Sequence, residues 1–302
     1  MSNILVVGSI GLDTIDTPFG KRENILGGAA TLFSLSASCF TKINLVSVVG
    51  NDFPQEHTKL FTKKGVNIDG LEVKREGRTF RWHGRYRGRM NTATTVSVDL
   101  NVLGDFKPTL PQSFRETPYL FLGNGSPHTQ MAVLEQMSKK PKFILLDTMN
   151  FWIETEHEKL LELIKHVDGI CINYEEALML MDKNNFAEVV EAIQHFDIKV
   201  LIIKKAEHGA VLITQDTIFS IPSYPTISIK DPTGAGDAFA GGFLGYIAKT
   251  DNTTIQTLKH ALIYGTVMGS FAIEDFGTER LQTIKPNEIE ERYHVILDMI
   301  RV

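Results

Sequence analysis

The residues best able to do chemistry lie together in Asp231-Pro232-Thr233-Gly234-Ala235-Gly236-Asp237-Ala238-Phe239-Ala240-Gly241-Gly242-Phe243. Pro232 favours an extended approach, and Gly234 and Gly236 admit a turn that other residues resist. From Asp237 the pattern turns helical and stays so through Ile247. The first turn of a helix leaves main-chain N–H groups without partners, and the helix dipole adds positive potential there. Together they make an anion site, and glycine lets a phosphate approach the backbone closely. The amides of Ala235, Gly236 and Asp237 would stabilise charge on a transferred phosphoryl group. Asp237, at the rim of that hole, would take the proton from a hydroxyl attacking the γ-phosphate of a nucleotide. The plainer reading is an acidic residue in a helix first turn, where Asp is favoured anyway. Gly241 and Gly242 each cost about 1 kcal/mol relative to Ala inside a helix, which predicts tight packing against a neighbouring element or a ligand.

Other polar residues end apolar runs, where open α/β sheets bind ligands. Asp13 follows the first such run and either caps a turn or accepts hydrogen bonds from a diol. Asn173-Tyr174-Glu175-Glu176 has the spacing of a capping box and equally offers two oxygen ligands. Lys204 and Lys205 end another run, as plain surface charge or as cations for phosphate, and His208 reads as an exposed loop histidine. Asn124, Asp147 and Asn150 close two more runs, as turn residues or as polar contacts to a ligand. Phe151 and Trp152 read as core or rim.

These residues need a scaffold. Ile4–Val7, Leu45–Val49, Tyr119–Leu122, Phe143–Leu146, Gly169–Ile172 and Val200–Ile203 are short runs of Val, Ile and Leu suited to strands buried on both faces. Helical patterns fill about 28–39, 53–64, 127–138, 155–166, 174–181 and 185–195. The alternation predicts right-handed crossovers and a largely parallel sheet covered on both sides. Two stretches interrupt it: a polar excursion at about 14–27 and a strand-like region at about 71–99. In the second, period-2 counting puts Phe80, Trp82 and Tyr86 on one face and Arg81, His83, Arg85, Arg87 and Arg89 on the other. This predicts a small accessory sheet. Its arginines either pair with phosphates or form a charged solvent face. A hairpin-like stretch at 210–229 then leads to helices at 234–248, 254–273 and about 286–299. Without repeats or a Pro/Gly linker, residues 1–302 read as one domain.

With 43% hydrophobic and 22% charged residues, the 302-residue chain is composed like a globular protein and can bury a large core. Its net charge of −5 disfavours a dedicated nucleic-acid or anionic-membrane binder. Only Cys39 and Cys171 occur, too few for a disulfide framework or a Cys-rich zinc site, and both read as small buried residues. The start, Met-Ser-Asn followed by Ile4-Leu5-Val6-Val7, lacks the basic and apolar regions of a signal peptide. Ala261–Ile273, the longest largely apolar run, is short of the roughly 20 residues a bilayer span needs. A cytoplasmic location is expected. There is no Walker loop, no zincin helix and no Gly-x-Ser-x-Gly elbow, and Gly123-Asn124-Gly125-Ser126-Pro127-His128 breaks the dinucleotide fingerprint at its sixth residue.

The segment 231–243 closely resembles the C-terminal signature of the ribokinase-like (PfkB-type) carbohydrate kinases. Gly8-Ser9-Ile10-Gly11-Leu12-Asp13 resembles the family's Gly-Ser…Asp turn, Gly27-Gly28 its substrate-side di-glycine, Asn173–Glu176 its Asn-x-x-Glu motif, and Lys204–Gly209 its nucleotide loop. The landmarks run in family order from residue 8 to about 277. The resemblance implies a three-layer α/β/α sandwich with a small β lid. The implied activity is ATP-dependent phosphorylation of a hydroxyl on a sugar or sugar-like molecule. It makes Asp237 the general base and Gly234, Ala235 and Gly236 the anion hole. Asp13, Gly27 and Gly28 would meet the acceptor, with Asn124 and Asn150 added from their place at the carboxyl edge of the sheet and Arg85 from the accessory strand. Asn173, Glu176, Lys204, Ala206, Gly209 and Thr233 would meet the nucleotide. Asn173 and Glu176 would hold Mg²⁺ through water, and Asp231 and Thr233 match positions that bind a monovalent cation such as K⁺ in some members. A homodimer through the lid is implied as well. Two departures stand out: Leu32 where many members have Asn, and Ala206 where glycine is common. Leu32 and the lid aromatics suit a nucleoside kinase on the same fold, and a non-catalytic nucleotide- or sugar-binding sensor is the third reading.

Overall fold

The computed structural model describes residues 3–193, 196 and 198–301. Among these, nine strands form the main sheet: β1 (Ile4–Val7), β4 (Ile43–Val49), β5 (Val66–Val73), β8 (Tyr119–Leu122), β9 (Phe143–Leu146), β10 (Gly169–Asn173), β11 (Val200–Lys204), β12 (Ala210–Ile213) and β13 (Ile218–Ile221). Their order is β13-β12-β11-β10-β9-β8-β1-β4-β5. The sheet is parallel from β11 to β5, and the β12–β13 hairpin adds two antiparallel strands at one edge.

Side chains alternate across a strand, and here the alternation divides the core in two. Ile4, Val6, Phe121, Leu145, Cys171 and Ile202 pack towards α1 (Ala29–Ala37), α8 (Ala235–Thr250), α9 (Ile255–Ala272) and α11 (Pro286–Met299). Leu5, Val7, Leu120, Leu146, Ile172 and Ile203 pack towards α3 (Pro127–Glu135), α5 (His157–Ile164), α6 (Tyr174–Met181) and α7 (Phe186–Ala192). Helices α2 (Gln55–Lys63), α4 (Asn150–Thr155) and α10 (Glu279–Thr283) complete a three-layer α/β/α sandwich. Among the described residues no helix is long and apolar enough to cross a membrane.

The second sheet has the order β3-β2-β6-β7, from β2 (Gly11–Thr17), β3 (Gly20–Gly27), β6 (Arg81–Tyr86) and β7 (Ala93–Asp99). The excursion expected at 14–27 is thus a hairpin that begins at Gly11 and supplies half of the lid. Residues 71–73, expected in the lid, belong instead to β5 at the edge of the main sheet, in register with Ser47–Val49. The helix expected at 155–166 is broken at Glu156 and begins earlier, as α4 and α5. Glu156 leaves the helical region and accepts hydrogen bonds from the Ser126 hydroxyl. The last two residues of the helix expected at 185–195 lie outside the described residues. Cys171 is buried as expected, but Cys39 is exposed in the turn after α1.

The glycines of α8 have a packing cause. A Cβ on Gly241 would lie 2.5 Å from the Phe33 carbonyl oxygen of α1, and one on Gly242 would lie 2.6 Å from the Tyr264 carbonyl oxygen of α9. The neighbours are therefore helix backbones and not a ligand. The Ser36 hydroxyl also donates to the Ala238 carbonyl at 2.6 Å. Gly241→Ala should destabilise the protein despite the better helix propensity of Ala, because backbone must move. Overpacking costs about 1–3 kcal/mol against a propensity gain of about 1 kcal/mol. Urea unfolding should show a lower midpoint at unchanged slope; an unchanged or raised midpoint would mean that the α1–α8 contact is not limiting.

Candidate active site

The polar residues converge where the carboxyl ends of β1, β9, β10 and β11 meet the N-terminus of α8. The turn into α8 is built by Gly234, whose φ of 71° is left-handed. Leu32 from α1 seals it from below, since a Cβ on Gly234 would fall 1.7 Å from Leu32 Cδ1. Leu32 is buried and packs against the anion turn, so it leaves no polar group at this spot. Behind the turn, buried Asp231 accepts from the Thr233 amide through Oδ1 and from the Gly277 amide through Oδ2, both at 2.9 Å. It braces the turn, and burial raises its pKa.

The three amides expected to bind an anion are not equivalent. Ala235 N–H donates to the Pro232 carbonyl at 3.3 Å, and the Asp237 carboxyl draws on its own amide. Gly236 N–H is the one without an acceptor among the described residues. The Asp237 pKa is raised to about 7, first by burial and then by Asp147; Asp13 adds to this and Lys204 opposes it.

Asp13 is 4% exposed, and its pKa is raised to about 7 by burial and by Asp231, against hydrogen bonds from the Trp82 and Gly28 amides. Its Oδ1 is buried without a hydrogen-bond partner among the described residues. Gly27 makes room for this carboxyl: a Cβ there would lie 2.0 Å from Oδ2. Gly28, at φ 93°, starts α1, and a Cβ on it would meet the Ser9 carbonyl oxygen at 2.6 Å. Ser9 caps that helix from outside, accepting from Ala29 N–H through Oγ and from Ala30 N–H through its carbonyl. The Gly-Ser…Asp turn and the di-glycine are therefore one assembly around Asp13.

Asn173 and Glu176 do form a reciprocal capping box, with Asn173 Oδ1 accepting from the Glu176 amide and Glu176 Oε2 from the Asn173 amide. Glu176 Oε1 is left over, and burial raises the Glu176 pKa while Lys204 lowers it. Lys204 is not surface charge. Its side chain is only 18% exposed, and Nζ lies 3.7 Å from Asp147 Oδ1. Burial opposes its charge, but Asp147, Cys171, Glu176 and Asp237 outweigh burial and raise its pKa. Asp147 is raised by burial and lowered in turn by Lys204. Lys205 instead stacks over Tyr174 and Phe186. Ala206 carries the unfavourable φ of 48° that the more common glycine would relieve, and Gly209, at φ 84°, closes the loop.

The lid meets this site through Tyr86, whose phenol oxygen accepts from the Thr233 hydroxyl at 3.0 Å. The Asn91 side-chain amide donates to the Glu207 carboxylate of the 204–209 loop at 2.8 and 3.0 Å. Arg85 is not brought to the site. It alternates with Tyr86 on β6, so it points to the opposite face, where it and Arg87 pair with Asp16. Arg81 pairs with Asp52. Asn124 holds Trp152 Nε1 at 3.1 Å and faces Met149, whereas Asn150 is exposed at the start of α4.

Sequence reasoning missed Tyr86, Asn91 and the Asp147–Lys204 pair. The lysine had a signal: it directly follows four buried strand residues, where a side chain still faces the site. The Tyr86 and Asn91 contacts join segments more than 100 residues apart and left no local signal.

The model of the pfkB family carbohydrate kinases matches residues 1–284. A cytidine kinase of Thermococcus kodakarensis is 28% identical over 257 residues, spanning 82% of this chain and 89% of that protein. A nucleoside kinase of Methanocaldococcus jannaschii is 25% identical over 237 residues, 78% of this chain and 74% of that one. The crystal structure of a Burkholderia thailandensis nucleoside kinase with inosine superposes with a TM-score of 0.78 at 20% identity, covering 98% of this chain and 99% of that one. With its motifs in order, its sheet and lid in place and the family model spanning nearly its whole length, the chain belongs to the pfkB family of carbohydrate kinases.

Proposed function

We propose that the protein transfers the γ-phosphoryl group of ATP to a hydroxyl of a nucleoside. The observation that carries the chemistry is geometric: Asp237 stands in the first turn of α8 beside the Gly236 amide, and burial raises its pKa. A general base works best with a pKa near the operating pH. The cytidine and nucleoside kinases among the relatives favour a nucleoside acceptor over a free sugar.

In this reading Asp13 Oδ1 receives an acceptor hydroxyl and so satisfies a buried lone pair. Gly27 and Gly28 allow the approach. Asp237 takes the proton of the attacking hydroxyl. The Gly236 amide meets the migrating group, and Ala206 and Gly209 shape the nucleotide loop. Asn124 and Asn150 stand at the carboxyl edge as further polar contacts.

Mg²⁺ fits the free Glu176 Oε1 beside Asn173. Among the described residues no three acidic, His or Cys side chains make a metal cage, which suits an ion that keeps waters and phosphate oxygens as ligands. When bound, it would neutralise phosphate charge. A monovalent cation at Asp231 and Thr233 would share the Asp231 carboxyl oxygens already used by the Thr233 and Gly277 amides. The exposed Val96 and Val98 of edge strand β7 suit a homodimer through the lid.

Three outcomes are expected. In a coupled ADP assay, a nucleoside should exceed ribose and fructose in kcat/KM by about tenfold or more, the scale of a few well-placed contacts. Preference for a free sugar would shift the acceptor class, and ATP binding without any product would leave the sensor reading. Second, Asp237→Asn should keep its fold and lose about 10²–10⁴-fold in turnover; full activity would remove Asp237 as base. Third, wild-type kcat/KM should fall below about pH 7, where Asp237 is protonated.

Stability should run the other way. The folded pKa lies above the unfolded value near 3.9, so the folded state holds the extra proton between about pH 4 and 7. Asp237 therefore costs most stability above pH 7 and least in acid. Asp237→Asn should melt higher than wild type at pH 8, with the gap narrowing towards pH 5.

A further inference from the structure

The anion turn offers fewer amides than its sequence promises, and a cation stands beside it. Lys204 ends β11 opposite Asn173 of β10, and its side chain crosses that strand to reach Asp147 at the end of β9. A Cβ on Gly236 would lie 2.8 Å from its Nζ. The ammonium therefore sits against the glycine whose amide is free. Its distance to Asp147, 3.7 Å, is long beside the roughly 2.7–2.9 Å of a charge-assisted hydrogen bond. No other hydrogen bond holds it among the described residues. Three N–H donors on a mostly buried ammonium thus lack close acceptors. The charges around it are Asp147, Glu176 and Asp237, with the Cys171 thiol beneath and Asp13 acting on Asp237 from the lid side.

We propose that Lys204 is a catalytic residue that binds the migrating γ-phosphoryl group jointly with the Gly236 amide, and that Asp147 is the positioning residue that aims it. This rests on the phosphoryl-transfer reading above. The acceptor O–H bond breaks with its proton passing to Asp237. The new oxygen–phosphorus bond forms as the bond from γ-phosphorus to the β,γ-bridging oxygen breaks, and that electron pair leaves with ADP. Lys204 gives up no proton; it supplies positive charge where the phosphoryl oxygens pass, in a site shielded from water. Asp147 keeps the ammonium from collapsing onto Asp237, the base it must not neutralise.

The test compares wild type with Lys204→Met, Asp147→Asn and the double variant, each checked by melting. Calorimetry with Mg²⁺ should show Lys204→Met weakening the β,γ-methylene analogue of ATP by about tenfold or more while changing ADP by less than about threefold, since only the former carries the γ-group. Its kcat should fall by about 10²–10³-fold, the cost of losing one such donor. The acid limb of kcat/KM should move up in Lys204→Met, which loses a charge that lowers the Asp237 pKa. It should move down in Asp147→Asn, which loses one that raises it. The double variant removes both members of the Lys204–Asp147 pair, so neither is left buried without the other, and it keeps the nucleotide measurement readable should Lys204→Met fail to fold. Equal weakening of both nucleotides, unmoved limbs, or recovered turnover in the double variant would reduce the pair to a structural brace and overturn the assignment. A wild type that phosphorylates no acceptor would end the phosphoryl-transfer reading, while the binding comparison still decides whether Lys204 meets the γ-group.

Discussion

Carboxylates set close together at the carboxyl edge of the sheet raise one another's pKa, and the rest of the site is arranged around that repulsion. Asp13, Asp147, Glu176, Asp231 and Asp237 are all pushed upward by burial. Each is then relieved differently. Asp231 is quieted by two main-chain amides and Glu176 by a helix cap, whereas Asp147 has an ammonium. Asp13 and Asp237 are both raised to about 7. Asp231 has both carboxyl oxygens satisfied, whereas Asp13 Oδ1 is buried without a partner among the described residues; in the proposed reaction Asp13 and Asp237 are the carboxyls that receive a hydroxyl and a proton. This is the division expected when unpaired polar groups are tolerated only where a ligand completes them.

Holding that arrangement requires a rigid floor, which the α1–α8–α9 packing supplies. Gly241 and Gly242 let α8 lie against the backbones of both neighbours, and Leu32 wedges under Gly234. The start of α8 is thereby fixed to α1, whose own start is fixed by Ser9 in the turn before Asp13. Asp13 and Asp237 thus stand at two ends of one helix contact, and a shift at Gly241 would be felt at both.

Much of this was legible along the chain because its causes are local. The apolar runs gave the central strands nearly to the residue, because burial on both faces removes the polar alternation that would blur them. The glycine-rich turn and the capping-box spacing were equally legible. Legibility ended where the cause was distant. Arg85 carries the right chemistry for phosphate, but its partner Asp16 comes from a strand that only the fold sets beside it. Lys204 reads as a lysine at a strand end, and nothing in the sequence says that Asp147, two strands away, draws it inward. The boundary at residue 71 failed because β5 is an exposed edge strand, polar like the lid it precedes.

The lid contacts both halves of the site, and this follows from where its hydrogen bonds go. The Trp82 amide supports the Asp13 carboxyl, Tyr86 takes the Thr233 hydroxyl beside the anion turn, and Asn91 reaches Glu207 in the nucleotide loop. One strand and its turn therefore touch Asp13, the turn before α8 and the 204–209 loop in sequence. Tyr86, Ile15, Met90 and Phe276 bury a small apolar cluster beneath them, which stiffens the lid as it crosses the gap. In the proposed reaction the phosphoryl group could be lost to water unless both substrates are in place, and a cover tied to both sides of the site would guard against that. Here the strand whose Trp82 amide meets Asp13 is followed by a turn whose Asn91 is anchored on Glu207 of the 204–209 loop, so the cover ties the two sides of the site together.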